Sequence, residues 1–226
     1  MIKAILIDID DTLLSFDEYV KQAMKSGFAK FSIGTYTDDM YDVFTSVNTR
    51  LWRSIEEGTL TLERLKQIRW NLIFEKLGIS ADGIAFEKYF RDGLFQSAIL
   101  EDGATELVRY LHSRYILCAA SNGPYLQQKN RLERGGMLEF FSHLFISEKL
   151  GYSKPSEKFF KACLKELGNI SPCEVMVIGD SLSSDIAGGI CAGMHTCLYN
   201  PKARAVPAQL KIDHIVSSLK EITKIL

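Results

Sequence analysis

The interval between the first two strand-like runs constrains this chain more than any other feature. Residues 3–9 and 115–120 both read as short buried strands, and more than 100 residues separate them. A βαβ unit needs only about 30 residues, so the interval holds something besides a crossover. It carries no good strand pattern. Helical periodicity predicts helices over 17–31, 38–57, 62–77 and 83–95, with Gly58-Thr59 and Gly78-Ile79-Ser80 as breaks. Further apolar runs at 143–147, 175–179 and 196–199 alternate with helical patterns at 105–113, 125–135, 157–167 and 184–192. Alternation of this kind predicts a doubly wound α/β fold around a parallel sheet, with right-handed crossovers. The expected organisation is an α/β core over 1–14 and 97–226 and an all-helical insert over 15–96. An insert that leaves the core there would lie over the carboxyl ends of the strands, where α/β proteins bind ligands. It would suit a lid, and the plainer alternative is a helical layer that only adds core.

Composition removes several function classes. A net charge of -1 gives no footprint for nucleic acid or an acidic membrane surface. No apolar run approaches the roughly 20 residues needed to span a bilayer, and the N-terminal run leads straight into three acids, which makes a poor signal peptide. Cys118, Cys163, Cys173, Cys191 and Cys197 form no Cys-x-x-Cys pair, and their odd number favours free thiols in a reducing cytoplasm. Cys118 reads as core, and none of the five has the setting of a nucleophile.

Four polar stations fall at the ends of the expected strands. Asp8-Ile9-Asp10-Asp11-Thr12 follows the first run and sets two carboxylates two residues apart. Acids that close are costly unless a cation lies between them or one holds a proton; the alternative is an acidic helix cap by Asp11 or Thr12. Ser121-Asn122-Gly123 follows the second run, and its hydroxyl and backbone amides suit a phosphate oxygen, or form a plain turn. Lys154-Pro155 follows the third run and offers a compact charge for a phosphoryl group, or an ordinary solvated lysine. Gly179-Asp180-Ser181 ends the fourth, with Asp185 near a helix start. Asp180 would face the first station if the two strands are neighbours. Hard oxygen ligands from several loops suit Mg²⁺, while Asp185 could equally cap a helix.

Taken together and in this order, the stations resemble the four motifs of the haloacid dehalogenase-like hydrolase superfamily: Asp8 to Leu13, then Ser121, then Lys154-Pro155, then Gly179-Asp180 through Asp185. The resemblance spans essentially the whole chain and implies a Rossmann-like core with a helical cap inserted after the first motif. Phosphatases of the superfamily carry an acid two residues after the nucleophile and dehalogenases do not need one, so Asp10 favours a phosphatase. A closer likeness is to the bacterial pyrimidine 5′-nucleotidases. It is carried by Val47-Asn48, Leu51-Trp52, Glu57-Gly58, Thr61, Arg69, Ser121-Asn122-Gly123 with Gln127 and Arg131-Leu132, Ile146-Ser147-Glu148, Asp185 to Ile190, Ala192-Gly193 and Asn200. Ser15, where many relatives have an acid, and Ser121, where threonine is common, depart from the pattern and bear on the substrate rather than the chemistry.

The resemblance implies that Asp8 attacks phosphorus and that Asp10 protonates the leaving oxygen, then activates water. It implies Mg²⁺ held by Asp8, Asp180 and the Asp10 carbonyl, with Asp185 orienting Lys154 or a metal-bound water. Ser121, Asn122, Gly123 and Lys154 would bind the phosphoryl group of a small nucleoside monophosphate, and Phe16 would line the substrate entrance. Trp52, Trp70, Phe44 and Arg69 are candidate contacts to a base or ribose, although aromatics at helical spacing read first as core. The four histidines show no ligand spacing. A sugar phosphate or phosphoglycolate phosphatase is the alternative in the same class, and a catalytically idle binding or regulatory protein is the alternative outside it. Oligomeric state leaves no trace in the sequence.

Overall fold

The computed structural model describes all 226 residues, Met1–Leu226. Contacts divide them into one unit of Met1–Ser15 with Ala98–Leu226 and a second of Phe16–Ser97. In chain order the first elements are β1 (Ala4–Ile7), α1 (Phe16–Phe31), α2 (Asp38–Glu56), α3 (Leu62–Leu77), α4 (Gly83–Gln96), α5 (Ala104–His112) and β2 (Ile116–Ser121). There follow α6 (Tyr125–Arg134), β3 (His143–Ile146), α7 (Ser147–Leu150), α8 (Glu157–Leu167) and β4 (Val175–Gly179). The chain ends with α9 (Ala187–Cys191), β5 (His195–Tyr199), β6 (His214–Val216) and α10 (Leu219–Ile225).

The strands form one parallel sheet in the order β3-β2-β1-β4-β5-β6. Side chains alternate across it with period two. Ile5, Ile7, Leu117, Ala119, Met176 and Ile178 join one apolar core with Leu107, Val108 and Leu111 of α5. Ala4, Leu6, Cys118, Ala120, Val175 and Val177 join a second with Phe159, Phe160 and Cys163 of α8. Both faces are therefore covered, which is why these strands are almost wholly apolar. Strand order runs outward through β2 and β3, then reverses to β4, β5 and β6. That reversal puts the topological switch beside β1, and its crevice lies at the strands' carboxyl ends.

The five anticipated strands are present, and a sixth, β6, had not been anticipated. Its three residues have Ile215 exposed and only Val216 buried, so no apolar run announces it. The first strand is shorter than the 3–9 run, because past Asp8 the chain turns out of the sheet. The helix read over 184–192 begins earlier, as a π-turn over Leu182–Ile186, before α9 takes over.

The second unit is four helices with an aromatic interior. Phe28, Phe44, Trp70, Phe74, Phe86 and Phe90 are all buried, with the Trp70 and Phe86 ring centroids 4.3 Å apart. Thr61 caps α3 by accepting the Arg64 N–H, and Asp82 caps α4 by accepting those of Ile84 and Ala85. Arg69 lies inside this core, with its guanidinium on both oxygens of Glu87 (3.0 and 2.7 Å) and on Asn48 Oδ1 (3.0 Å). Phe44, Trp70 and Arg69 are thus core residues, the plainer of the two readings. Phe16 belongs to the same unit, its ring 6.3 Å from that of Phe44 and 6.2 Å from that of Phe90. No helix is long and apolar enough to cross a membrane, and all five cysteines are free thiols.

Candidate active site

Asp8 is the first residue beyond β1. Its N–H continues the ladder by donating to the Ile178 carbonyl (2.8 Å), which ties it to the neighbouring β4. The chain then makes one tight excursion: the Leu13 and Leu14 amides both donate to the Ile9 carbonyl (2.9 and 2.8 Å), and Asp11 adopts φ 53°. Helix α1 starts only at Phe16, so neither Asp11 nor Thr12 caps it. The helix-cap alternative for the first station fails on that point.

Lys154 is the hub of the site. Its side chain is 2% exposed, and its ammonium donates at 2.6 Å to each of Asp8 Oδ1, Asp185 Oδ1 and the Ala120 carbonyl. Those three acceptors match its three donors. Burial works against its charge, but the Asp185 and Asp8 carboxylates outweigh burial and raise its pKa. A solvated lysine is excluded.

Asn122 holds this lysine's backbone in place. Its side-chain amide donates to the Lys154 carbonyl (2.9 Å), and its carbonyl oxygen accepts the Lys154 N–H (2.8 Å). Ser121 is buried, and its hydroxyl accepts from Gln128 Nε2 (2.8 Å). The Gly123 N–H donates to Ser147 Oγ (2.9 Å), so this amide is committed within the protein.

Beyond β4, Ser181 accepts the Ser184 N–H on its hydroxyl (3.1 Å), while its own N–H donates to Asp185 Oδ2 (3.1 Å). Ser181, not Asp185, is the capping residue. With Lys154 on one oxygen and Ser181 on the other, Asp185 is fully engaged. Asp180 is less so: Arg204, on the segment after β5, reaches its Oδ2 at 3.3 Å from a half-exposed position.

Of the site residues the sequence pointed to, Asp8, Asp10, Ser121, Asn122, Gly123, Lys154, Asp180 and Asp185 lie in the α/β unit beyond β1, β2, β3 or β4, whereas Phe16 lies in the helical unit. The sequence did not single out Gln128 as a site residue, nor give Arg131 a role. Arg131 Nη1 meets Asp10 Oδ1 at 2.5 Å and Gln128 Nε2 meets Asp10 Oδ2 at 2.6 Å. Their i, i+3 spacing on α6 was the available signal, but a Gln and an Arg on a polar helix ordinarily read as solvent-facing.

Charge balance decides what the site can hold. Carboxylate oxygens of Asp8, Asp180 and Asp185 lie within 4.8 Å of one another, with a single buried cation, Lys154, among them. Burial raises the pKa of Asp8, with Asp185 and Asp10 adding to the effect and Lys154 opposing it. Burial likewise raises Asp180, and the charges of Asp8, Asp11 and Asp185 add to it. Three carboxylates against one ammonium leave a deficit of about two positive charges. Hard carboxylate oxygens fit a divalent cation of the Mg²⁺ type, and Asp8 and Asp180 are the pair not already saturated by protein donors.

A parallel sheet with its switch point at β1 and an acid–lysine cluster at the strand ends has the layout of an enzyme of the doubly wound α/β class. The profile of the haloacid dehalogenase-like hydrolases matches residues 2–193, and the chain belongs to that family. It is 32% identical to the HAD-hydrolase YfnB of Bacillus subtilis, over 99% of this chain and 95% of the relative. A crystal structure of YfnB bound to magnesium matches with TM-score 0.91, covering 100% of this chain and 98% of the other. The pyrimidine 5′-nucleotidase YjjG of Escherichia coli is 31% identical over 98% of this chain and 96% of its own. The pyrimidine 5′-nucleotidase PynA of Streptococcus pneumoniae is 32% identical over 88% and 84%.

Proposed function

We propose that this protein is a Mg²⁺-dependent phosphomonoester hydrolase that works through an aspartyl-phosphate on Asp8, with pyrimidine nucleoside 5′-monophosphates as substrates. The observation that carries the reading is the cluster of Asp8, Asp180 and Asp185 around the buried Lys154. The likeness to two pyrimidine 5′-nucleotidases supports the substrate class.

In the first step an Asp8 oxygen attacks phosphorus, the bond from phosphorus to the 5′-oxygen breaks, and Asp10 gives that oxygen its proton. In the second, water attacks the phosphoryl group, Asp10 takes the water's proton, and the bond to Asp8 breaks to release inorganic phosphate. Splitting one displacement into two uses the carboxylate as a nucleophile already fixed in line. Acid–base help from Asp10 contributes about 10²–10⁴ in rate. The Ser121 hydroxyl, which accepts from Gln128, still has its own proton to offer a phosphoryl oxygen, as does the Asn122 backbone amide. Lys154 balances the charge of Asp8 and of the arriving phosphate, and Asp185 holds it there. Asp8 and Asp180, with the Asp10 carbonyl, would hold the Mg²⁺, which when bound offsets the repulsion between carboxylate and phosphate dianion. The reaction belongs in the cytoplasm, where the free thiols stay reduced.

The test is phosphate release, with and without Mg²⁺, across nucleoside monophosphates and sugar phosphates. Mg²⁺-dependent release led by UMP, dUMP or dTMP, abolished in Asp8→Asn, is the expected result. Preference for a sugar phosphate would overturn the substrate, and no release from any ester would overturn the reaction.

A further inference from the structure

Helix α6 grips the carboxylate that the proposed reaction uses as its acid. Arg131 Nη1 donates to Asp10 Oδ1 (2.5 Å) and to Gln128 Oε1 (3.0 Å). Gln128 Nε2 donates to Asp10 Oδ2 (2.6 Å) and to Ser121 Oγ (2.8 Å). Both oxygens of Asp10 are thus fixed, and the Gln128 amide sets the spacing between Asp10, at the end of β1, and Ser121, at the end of β2. Gln128 and Arg131 are each 1% exposed, whereas the Asp10 side chain is 29% exposed. The gripping groups are buried and the gripped group is open.

As an arrangement for stability alone this is poor. Arg131 Nε and its second terminal nitrogen are buried with no hydrogen-bond partner, and a buried guanidinium left partly unsatisfied is costly. The benefit lies in orientation. Asp10 follows a residue of a tight excursion rather than standing in a strand, so its backbone alone does not aim its side chain. We propose that Gln128 and Arg131 are positioning residues, which hold the Asp10 carboxyl group toward the leaving oxygen at a set distance from the Ser121 hydroxyl. This rests on the acid role given to Asp10 above. The grip does not block proton transfer: Asp10 delivers its proton from one oxygen while the other keeps accepting from α6.

The experiment compares kcat/KM for two esters, a nucleoside monophosphate and p-nitrophenyl phosphate, in wild type, Arg131→Met, Arg131→Lys and Gln128→Leu. This parameter spans the steps up to departure of the leaving group, where Asp10 acts only as acid. A nucleoside alkoxide needs that proton and p-nitrophenolate needs little of it. Misplacing an acid worth about 10²–10⁴ should cost Arg131→Met roughly 30- to 100-fold on the nucleotide and under about 5-fold on p-nitrophenyl phosphate. Arg131→Lys, which keeps the charge and an N–H donor in place of Nη1, should recover part of the nucleotide loss. Gln128→Leu should show the same split at smaller size, and it carries the test if Arg131→Met does not fold. Equal losses on both esters in every folded variant, or no loss on either, would overturn the assignment. If wild type releases phosphate from neither ester, the proposed reaction itself has failed instead.

Discussion

Gly179→Ala should damage the site through one contact. Gly179 ends β4, and a Cβ built on it would lie 2.9 Å from the Asp185 Cβ and closer still to the Asp185 carboxylate. Below 3.0 Å something has to move, and the Asp185 side chain is the only movable group among those contacts. It is held by Lys154 Nζ at 2.6 Å on one oxygen and by the Ser181 N–H at 3.1 Å on the other. Overpacking costs about 1–3 kcal/mol, and losing a hydrogen bond to a charged group costs about 1.5–3 kcal/mol. Together these come to about 2.5–6 kcal/mol, which corresponds to a fall in Tm of roughly 5–24 °C for a chain of this size. Phosphate release should fall as well, because the displaced carboxylate no longer holds Lys154 beside Asp8. Scanning calorimetry on Gly179→Ala, Asp185→Ala and the double variant tests the route. With the carboxylate gone, only the 2.9 Å approach to the Cβ at position 185 remains, so the glycine substitution should cost less than it does in wild type, and the coupling between the two sites should reach about 1 kcal/mol or more. Gly27→Ala is the control, since its Cβ would press on the Phe86 ring, 2.5 Å from Cζ, and on the Tyr89 ring, both in the helical unit. Additive effects in the double variant would refute the reasoning.

The deficit of positive charge also predicts a pH-dependent response to Mg²⁺. The Asp8 carboxyl is pushed from 3.8 up to about 8 by burial, and Asp180 is raised too, so the metal-free fold gives up stability as pH climbs through that window. The rise in Tm on adding Mg²⁺ should therefore grow from pH 5 to pH 8, as bound protons cease to compete with the metal; an increment independent of pH would contradict it. In the helical unit, Arg69→Met should cost about 3–5 kcal/mol by leaving the buried Glu87 carboxylate with only the more distant Arg91, at 3.8 Å. Arg69→Met with Glu87→Leu should recover most of that in urea unfolding, and equal costs for the single and double variants would show that the pair is not the cause.

The sheet was legible because its strands are buried on both faces. Runs such as Ala4–Ile7 and Val175–Gly179 carry no polar residue to blur them. The long helical interval was legible for the opposite reason, since its caps and its left-handed Gly78 punctuate it clearly. Strand β6 escaped because an edge strand of three residues, one of them exposed, has no periodicity to detect. The acids and Lys154 stood out because their chemical types repeat at strand ends. Gln128 and Arg131 did not, because a helix position reveals its face only once its packing partners are known. Gly179 looked like an ordinary strand end, although the Asp185 carboxylate lies over its Cα.

The acids of the site fall into two sets, and that division explains its layout better than proximity does. Asp185 and Asp10 are each matched by a buried cation from a different element, Lys154 and Arg131. A carboxylate so matched is fixed in place and is a poor host for an added metal, because its lone pairs are already directed elsewhere. Asp8 shares Lys154 with Asp185, and Asp180 has only the half-exposed Arg204 at 3.3 Å. These two keep unspent charge, and they project from β1 and β4, the neighbouring strands at the switch point. Replacing Arg204 with Met would expose the difference: it should tighten Mg²⁺ binding by removing a competing cation, whereas removing Arg131 should leave that affinity nearly unchanged. Isothermal titration with Mg²⁺ measures both, and the reverse ranking would mean that Asp10, not Asp180, carries the vacant charge.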